Sequence, residues 1–140
     1  GLRLKIVADF DLPGCGVATL PVAWSADTEA RELASSHVGV APMRDDDWSR
    51  GKCALKVLQC MAAGLPVVSS HVGANAEVTV EGETGFLVST PAEWAARIAQ
   101  LAQDAGLRRR LGEAGRRRVE TDYSVVPVFE RLRSVVAGLD

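Results

Sequence analysis

The sequence predicts an α/β fold in which a parallel sheet is covered by helices on both faces. Short apolar segments of strand length recur along the 140 residues and alternate with segments of helical periodicity. The connections between predicted strands are mostly as long as crossovers, which parallel pairing requires, and longer than hairpin loops. Because such crossovers are right-handed, the segments are expected to form one doubly wound, Rossmann-like sheet.

Length and composition describe one globular domain, residues 1–140. The formal net charge of −2 gives no argument for nucleic-acid binding, and no apolar run approaches the roughly twenty residues of a membrane span. Cys15, Cys53 and Cys60 match neither a disulfide framework nor a zinc-ligand pattern. Reduced thiols, a cytoplasmic location and no metal site are therefore predicted, while a peripheral position at the inner face of a membrane stays open.

The first quarter of the chain predicts two strands and a helix. Residues 2–8 alternate apolar and polar side chains, and because this strand is under way at the first residue, we expect the chain to be an N-terminally truncated domain. Residues 17–24 give a second strand. Either Ser25 or Asp27 is a plausible N-cap for a short helix that ends near residue 35.

The middle of the chain predicts a strand, a loop, a buried helix and another strand. Residues 37–42 are short and apolar and are expected to be a central strand, and residues 43–50 are expected to be a loop without an element of its own. A helix is predicted to begin at Lys52 and to end at Gly64, because apolar residues occupy most of its circumference. The predicted strand at residues 67–70 follows it.

The last third predicts one strand and several helical segments. Residues 86–89 form the strand, and Pro91 is at a favoured first-turn position of a helix. The buried stripe of this helix is expected to contain Trp94, Ile98 and Leu101. Arginine triplets at 108–110 and 116–118 spread around a helix, which favours solvated faces over one binding surface. Residues 125–140 predict an amphipathic terminal helix.

A polar stripe interrupts the apolar central helix. Lys52, Lys56 and Gln59 have the spacing i, i+4 and i+7, so their side chains are expected to stack on one face. Both lysines are at the positive end of the helix dipole, and Gly51 would allow close approach of the backbone. This combination predicts a phosphate site. The alternative is two lysines whose stems lie along a partly exposed face, and Cys53 and Cys60 are expected on the buried side of the same helix.

The loop before the central helix contributes one further candidate. Trp48 can stack on a base or a sugar, or can pack down as a lid over the start of the helix. Residues 45–47 are three adjacent aspartates whose side chains point in different directions, which is typical of a solvated turn and not of a metal site.

Several of these segments together resemble a known family. The runs MAAGLPVVSSHVGANAEV (61–78) and EGETGFLV (81–88) are similar to the C-terminal domain of GT-B glycosyltransferases, in particular to family 4, the glycosyl transferases of group 1. The resemblance extends upstream to HVGVAPM (37–43) and downstream to residues 104–124. The family's central helix usually carries two glutamates eight positions apart, and these positions are Gly51 and Gln59 here.

The resemblance implies the donor-binding part of a retaining, hexosyltransferase-like enzyme of polysaccharide biosynthesis, which moves a sugar from a nucleoside diphosphate sugar to a carbohydrate or lipid-linked acceptor. Lys52 and Lys56 would neutralise the leaving diphosphate without a metal ion or other cofactor, and Gln59 would bind ribose hydroxyls. No catalytic residue is assigned. Residues 125–140 would reach toward the N-terminal domain of the same parent protein, so the isolated chain is expected to be inactive. The alternative is a non-catalytic nucleotide-sugar-binding or interaction module.

Overall fold

The computed structural model of the protein describes residues 1–10 and 12–138. Strands and helices alternate, and every strand pair that the structure describes is parallel, which confirms the predicted α/β class. In chain order the elements are β1 (Arg3–Val7), β2 (Ala18–Val22), α1 (Glu29–Ala34), β3 (Gly39–Ala41), α2 (Asp47–Arg50), α3 (Leu55–Ala62), β4 (Val67–Ser70), α4 (Ala74–Val78), β5 (Gly85–Val88), α5 (Pro91–Gln103), α6 (Ala105–Arg118), a π-helical turn (Val119–Tyr123) and α7 (Val125–Ala137).

The described strands form two sheets, where the sequence predicted one. β1 pairs with β2, and β3, β4 and β5 form a separate sheet in that order. The central strand of the larger sheet is β4, all of whose residues are buried, and not the predicted strand at residues 37–42. Within that segment, Val40 of β3 remains 39% exposed. The prediction failed because a short apolar run fits an edge strand as well as a central one.

The core lies on the two faces of the larger sheet. On one face, Val57, Cys60 and Met61 of α3 pack against β3, β4 and α4. On the other face, Leu101 of α5 packs with α6 residues against β4 and β5. Leu101 is fully buried, as predicted, whereas Trp94 and Ile98 are half-buried at its margin.

Helix α5 begins where the sequence predicted, with Pro91 in its first turn. Thr90 is the N-cap, and its hydroxyl accepts a hydrogen bond from the Glu93 N–H at 3.3 Å. The Glu93 carboxylate in return accepts from the N–H groups of Ser89 and Thr90 at 2.7 and 2.9 Å. This capping box satisfies donors that the helix leaves free, and the same hydrogen bonds hold the pKa of Glu93 below its ordinary value.

The predicted starts of two earlier helices need correction. The central helix α3 begins at Leu55 and not at Lys52, because the N-cap Ala54 has a left-handed backbone (φ 55°) that separates the preceding turn from the helix. Helix α1 begins at Glu29, and neither Ser25 nor Asp27 is its N-cap. Thr28 occupies that position without a side-chain cap, and the main-chain carbonyl of Ser25 accepts from the N–H groups of residues 28 and 29.

Residues 43–50 contain a short helix that the sequence did not predict. The Asp46 carboxylate caps α2 by accepting from the Ser49 N–H at 2.7 Å. Three successive aspartates concealed this cap, because the sequence does not show which of them faces the helix. Asp45 instead forms an ion pair with Arg50 at 2.8 Å.

The arginine triplets divide into solvated and structural members. Arg109, Arg110, Arg116 and Arg117 are exposed, as predicted. Arg118, in contrast, reaches across to α4 and donates to the main-chain carbonyls of Val78 and Glu77 at 3.0 and 3.1 Å.

The terminal helix α7 buries none of its residues, and its apolar side chains remain exposed. Residues 139–140 of the predicted terminal helix lie outside the described residues, as does Asp11.

Candidate functional site

The carboxyl ends of β3, β4 and β5 meet at one edge of the larger sheet, which is where open parallel sheets bind ligands. A cavity of about 380 Å³ opens at this edge. It is lined by Pro42, Met43, Arg44, Ser70, Ser89, Pro91 and Trp94. The Ser70 hydroxyl accepts from the Met43 N–H at 2.8 Å and so fixes the segment after β3 to the end of β4. None of the five predicted site residues lines this cavity.

Helix α3 begins close to this edge, and no side chain of the described residues caps its N-terminus. Its N-cap Ala54 makes no side-chain capping bond, and its first turn contains no acidic residue. The N–H groups of a first helical turn have no acceptor within the helix and carry the positive end of its dipole. The left-handed Ala54 is the one non-glycine residue with positive φ among the described residues, and backbone strain of this kind is concentrated at functional sites.

The two predicted lysines lie close to this helix end but do not stack on one helical face. Lys56 is exposed in the first turn of α3, whereas Lys52 is exposed in the preceding turn, where its N–H donates to the Ser49 carbonyl at 3.1 Å. The predicted i, i+4 stack is therefore wrong, because the helix starts after Lys52. The pKa of the neighbouring Asp46 is held below its ordinary value mainly by hydrogen bonds with Ser49, and in smaller part by the charges of Arg44 and then Lys52.

Gly51 makes no close contact with other residues, and close approach of its backbone to an anion stays a prediction. It follows α2 with an ordinary backbone (φ −78°), and a Cβ there would lie 3.6 Å from the Trp48 carbonyl, in normal contact. A close approach between two backbone segments occurs at Gly73, whose φ is +51° and where a Cβ would lie 3.0 Å from the Arg50 Cα. Only glycine fits this contact between the loop after β4 and the end of α2. The glycine in HVGAN was the sequence signal for it.

Trp48 projects from α2 with 81% of its surface exposed. This exposure contradicts packing as a lid over the start of α3. Stacking on a base or a sugar stays a prediction.

Gln59 lies one turn further along α3 and is held by a residue that the sequence did not indicate. Its Nε2 donates to the Glu29 carboxylate of α1 at 3.0 Å, and the other carboxylate oxygen accepts from Trp24 Nε1 at 3.1 Å. A second cavity of about 280 Å³ opens here, lined by Ala26, Glu29, Ala30, Leu33, Gln59, Ala62 and Ala63. Thirty positions separate Glu29 from Gln59, and no local pattern connects them.

The two cysteines of this region have different environments. Cys60 lies on the buried side of α3, as predicted, and burial raises the pKa of its thiol to about 11. The charge of Lys56 lowers this pKa and that of Glu29 raises it, so a cation and a carboxylate both act on Cys60. Cys53 is exposed, which contradicts its predicted burial, because it precedes the helix.

Within residues 1–10 and 12–138, no group of three potential ligands among His, Cys, Asp and Glu could hold a metal ion. No helix in the same part of the chain has the length and apolar character needed to cross a bilayer.

Comparison with known proteins gives a family and a partial relative. A statistical description of the family "Glycosyl transferases group 1" matches residues 17–104. Spore coat protein SA of Bacillus subtilis (strain 168) is 39% identical over 80 residues, which cover 55% of this chain and 21% of that protein. This chain thus spans about a fifth of the length of that relative.

Two solved structures share the architecture. The C-terminal domain of LpcC, a glycosyl transferase group 1 family protein from Francisella tularensis, aligns with a TM-score of 0.62 and 22% identity over 80% of this chain and 57% of that one. Anabaena Alr3699/HepE in complex with UDP and glucose aligns with a TM-score of 0.72 and 17% identity over 89% of this chain and 33% of that one.

Proposed function

This chain belongs to the family of group 1 glycosyl transferases and has the fold of their GT-B C-terminal domains, and from that premise we propose that it is the donor-binding part of a glycosyltransferase. The parent enzyme moves a sugar from a nucleoside diphosphate to an acceptor. The observation that carries the proposal is the uncapped N-terminus of α3 with exposed Lys56 in its first turn. The structural neighbour Alr3699/HepE, which was solved with UDP and glucose, supports a nucleotide as the ligand.

The role of this helix end follows from the charge of the leaving group. When the bond between the sugar and the diphosphate breaks, negative charge develops on the diphosphate, and preorganised positive groups stabilise it. Lys56 and the free N–H groups of α3 are such groups, and the exposed Lys52 adds a second ammonium from the preceding turn. Because Lys52 is outside the helix, we assign the larger share to Lys56.

We further propose that these groups neutralise the charge of the diphosphate without a divalent metal ion. The nearest acidic cluster is already engaged, because Asp46 caps α2 and Asp45 pairs with Arg50. Donor binding should therefore be the same in the presence of Mg²⁺ and of a chelator, and a requirement for Mg²⁺ would contradict this part of the proposal.

The nucleoside would extend from the diphosphate along α3 toward Gln59, one turn deeper on the same face. Trp48, exposed beside the helix start, would stack on the base or the sugar. The acceptor, a carbohydrate or lipid-linked group, and the retention of anomeric configuration rest on the resemblance to family 4. The groups that bind the acceptor are assigned to the N-terminal domain of the parent protein, so this chain alone should bind the donor without transferring sugar. The cytoplasm is the proposed compartment, since all three cysteines are free thiols.

Titration with UDP, GDP and ADP, followed by thermal unfolding and calorimetry, tests the proposal. Binding to the folded state should raise the melting temperature by linkage for at least one of the three nucleotides, with and without Mg²⁺. AMP and adenosine serve as controls for ADP, because they lack the diphosphate. If none of the three diphosphates raised the melting temperature, the proposal would be overturned and an interaction module would be favoured.

A further inference from the structure

We propose that Glu29 of α1 supplies a carboxylate to the ribose subsite and acts there together with Gln59 of α3. This inference rests on the proposed function and assigns it a second binding residue. It starts from the hydrogen bond of 3.0 Å between the Gln59 amide and the Glu29 carboxylate, two groups on different helices.

The geometry fixes which atoms remain available to a ligand. Because a carboxylate only accepts hydrogen bonds, the nitrogen of the Gln59 amide faces Glu29 and its Oε1 is the remaining acceptor. Trp24 Nε1 holds the other Glu29 oxygen at 3.1 Å, so the carboxylate is fixed from two sides. Each of its oxygens keeps a lone pair for a further donor.

The position of the pair matches a ribose. Glu29 and Gln59 are half-buried and line the same cavity of about 280 Å³. Four alanines leave room beside them: Ala26, Ala30, Ala62 and Ala63. Along α3, Gln59 follows Lys56 by three residues, a rise of roughly 4.5 Å. A diphosphate at Lys56 is therefore followed by its ribose at Gln59 and Glu29.

The chemistry matches a vicinal diol. The two ribose hydroxyls donate two hydrogen bonds, and the Gln59 amide alone offers one acceptor atom for them. Glu29 provides the second acceptor, and because it is charged, its hydrogen bond is stronger than that of a neutral amide. A carboxylate and an amide from two helices together can thus recognise a cis-diol where the family's helix carries a glutamate at position 59.

The test uses three ligands that separate ribose recognition from phosphate binding: UDP, its 2′,3′-dideoxy analogue and pyrophosphate. In Glu29→Gln, UDP affinity should fall roughly tenfold or more, as expected for loss of a charged acceptor. The affinities for the dideoxy analogue and for pyrophosphate should stay within about twofold, since neither presents the diol. Asp27→Asn, the same change of charge two residues earlier, is the control and should leave all three affinities unchanged.

A charge exchange distinguishes a binding role from a simple link between helices. Glu29→Gln combined with Gln59→Glu keeps one carboxylate and one amide in the subsite, so UDP affinity should return to within about threefold of the original. Unchanged UDP affinity in Glu29→Gln, or an equal loss for all three ligands, would overturn the inference and leave the proposed function intact. If the unaltered chain bound neither UDP nor pyrophosphate, both the inference and the proposed function would be overturned.

Discussion

The two sheets of this domain differ in how much apolar surface they bury. The larger sheet is enclosed by fully buried side chains from both of its faces: Val57, Met61, Val67, Val68, Leu101 and Leu111. Among the described residues of the smaller sheet and α1 (3–10 and 12–34), Ile6 is the one buried large side chain, and α1 buries none. The hydrophobic stabilisation of the domain is therefore concentrated in the larger sheet and the helices that pack on it, which we call the second part. The smaller sheet and α1 are the first part.

Polar contacts hold the first part instead. Lys5 of β1 donates to the Glu32 carbonyl at 2.9 Å and to the Ser35 hydroxyl at 2.7 Å, and Gln59 connects α1 to α3 through Glu29. Such contacts contribute less than a packed core, so the first part should open at a lower free energy than the second. The proposed ribose subsite lies between these two parts, at the contact between α1 and α3.

The largest expected effect is the difference in stability loss when one leucine in each part is truncated to alanine. Leu101→Ala removes a fully buried side chain and should lower the free energy of unfolding by about 3 kcal/mol. Leu20→Ala in β2, where the side chain is 41% exposed, should cost less than about 1 kcal/mol. Urea denaturation of both variants measures the difference, and equal losses would contradict the comparison.

A smaller loss is expected where α6 approaches the loop after α3. A Cβ on Gly112 would lie 2.0 Å from the Gly64 carbonyl oxygen, so Gly112→Ala must displace the backbone. We expect a loss of about 2 kcal/mol by thermal denaturation, although alanine favours a helix. Gly138→Ala at the end of α7 is the control, because its Cβ would make ordinary contact at 3.5 Å. Unchanged stability in Gly112→Ala would show that α6 is not tightly packed against the loop after α3.

The smallest perturbation is chemical modification of the thiols. Cys15 and Cys53 are exposed and should react rapidly with a thiol reagent in the native state, whereas buried Cys60 should react only on unfolding. Because the pKa of Cys60 is raised to about 11, its neutral form stabilises the fold at neutral pH, and this contribution is lost as the pH rises through that value. Peptide mapping after labelling measures the reactivities, and urea denaturation at increasing pH measures the change in the free energy of unfolding. Rapid native labelling of Cys60 would contradict the packing of α3.

The sequence predicted the larger sheet better than the surroundings of the site. Apolar periodicity and turn residues predicted β4, β5 and the start of α5 at Pro91, because these depend on local chemistry. The start of α3 was misplaced, since nothing in the residue type shows that Ala54 adopts a left-handed backbone. That single torsion moved Lys52 out of the helix and exposed Cys53. Glu29 was missed because its contact with Gln59 depends on how two helices pack.

The measurement that tests the account most directly is made on Lys56→Ala. Loss of a charge-assisted contact at the start of α3 should weaken binding of the preferred nucleoside diphosphate by about 1.5 to 3 kcal/mol and leave the free energy of unfolding nearly unchanged. Arg109→Ala, which removes an exposed cation from α6, should change neither quantity. Calorimetry and urea denaturation on each variant give both values. A stability loss above about 1 kcal/mol with unchanged nucleotide affinity would show that Lys56 serves the fold and not the donor site.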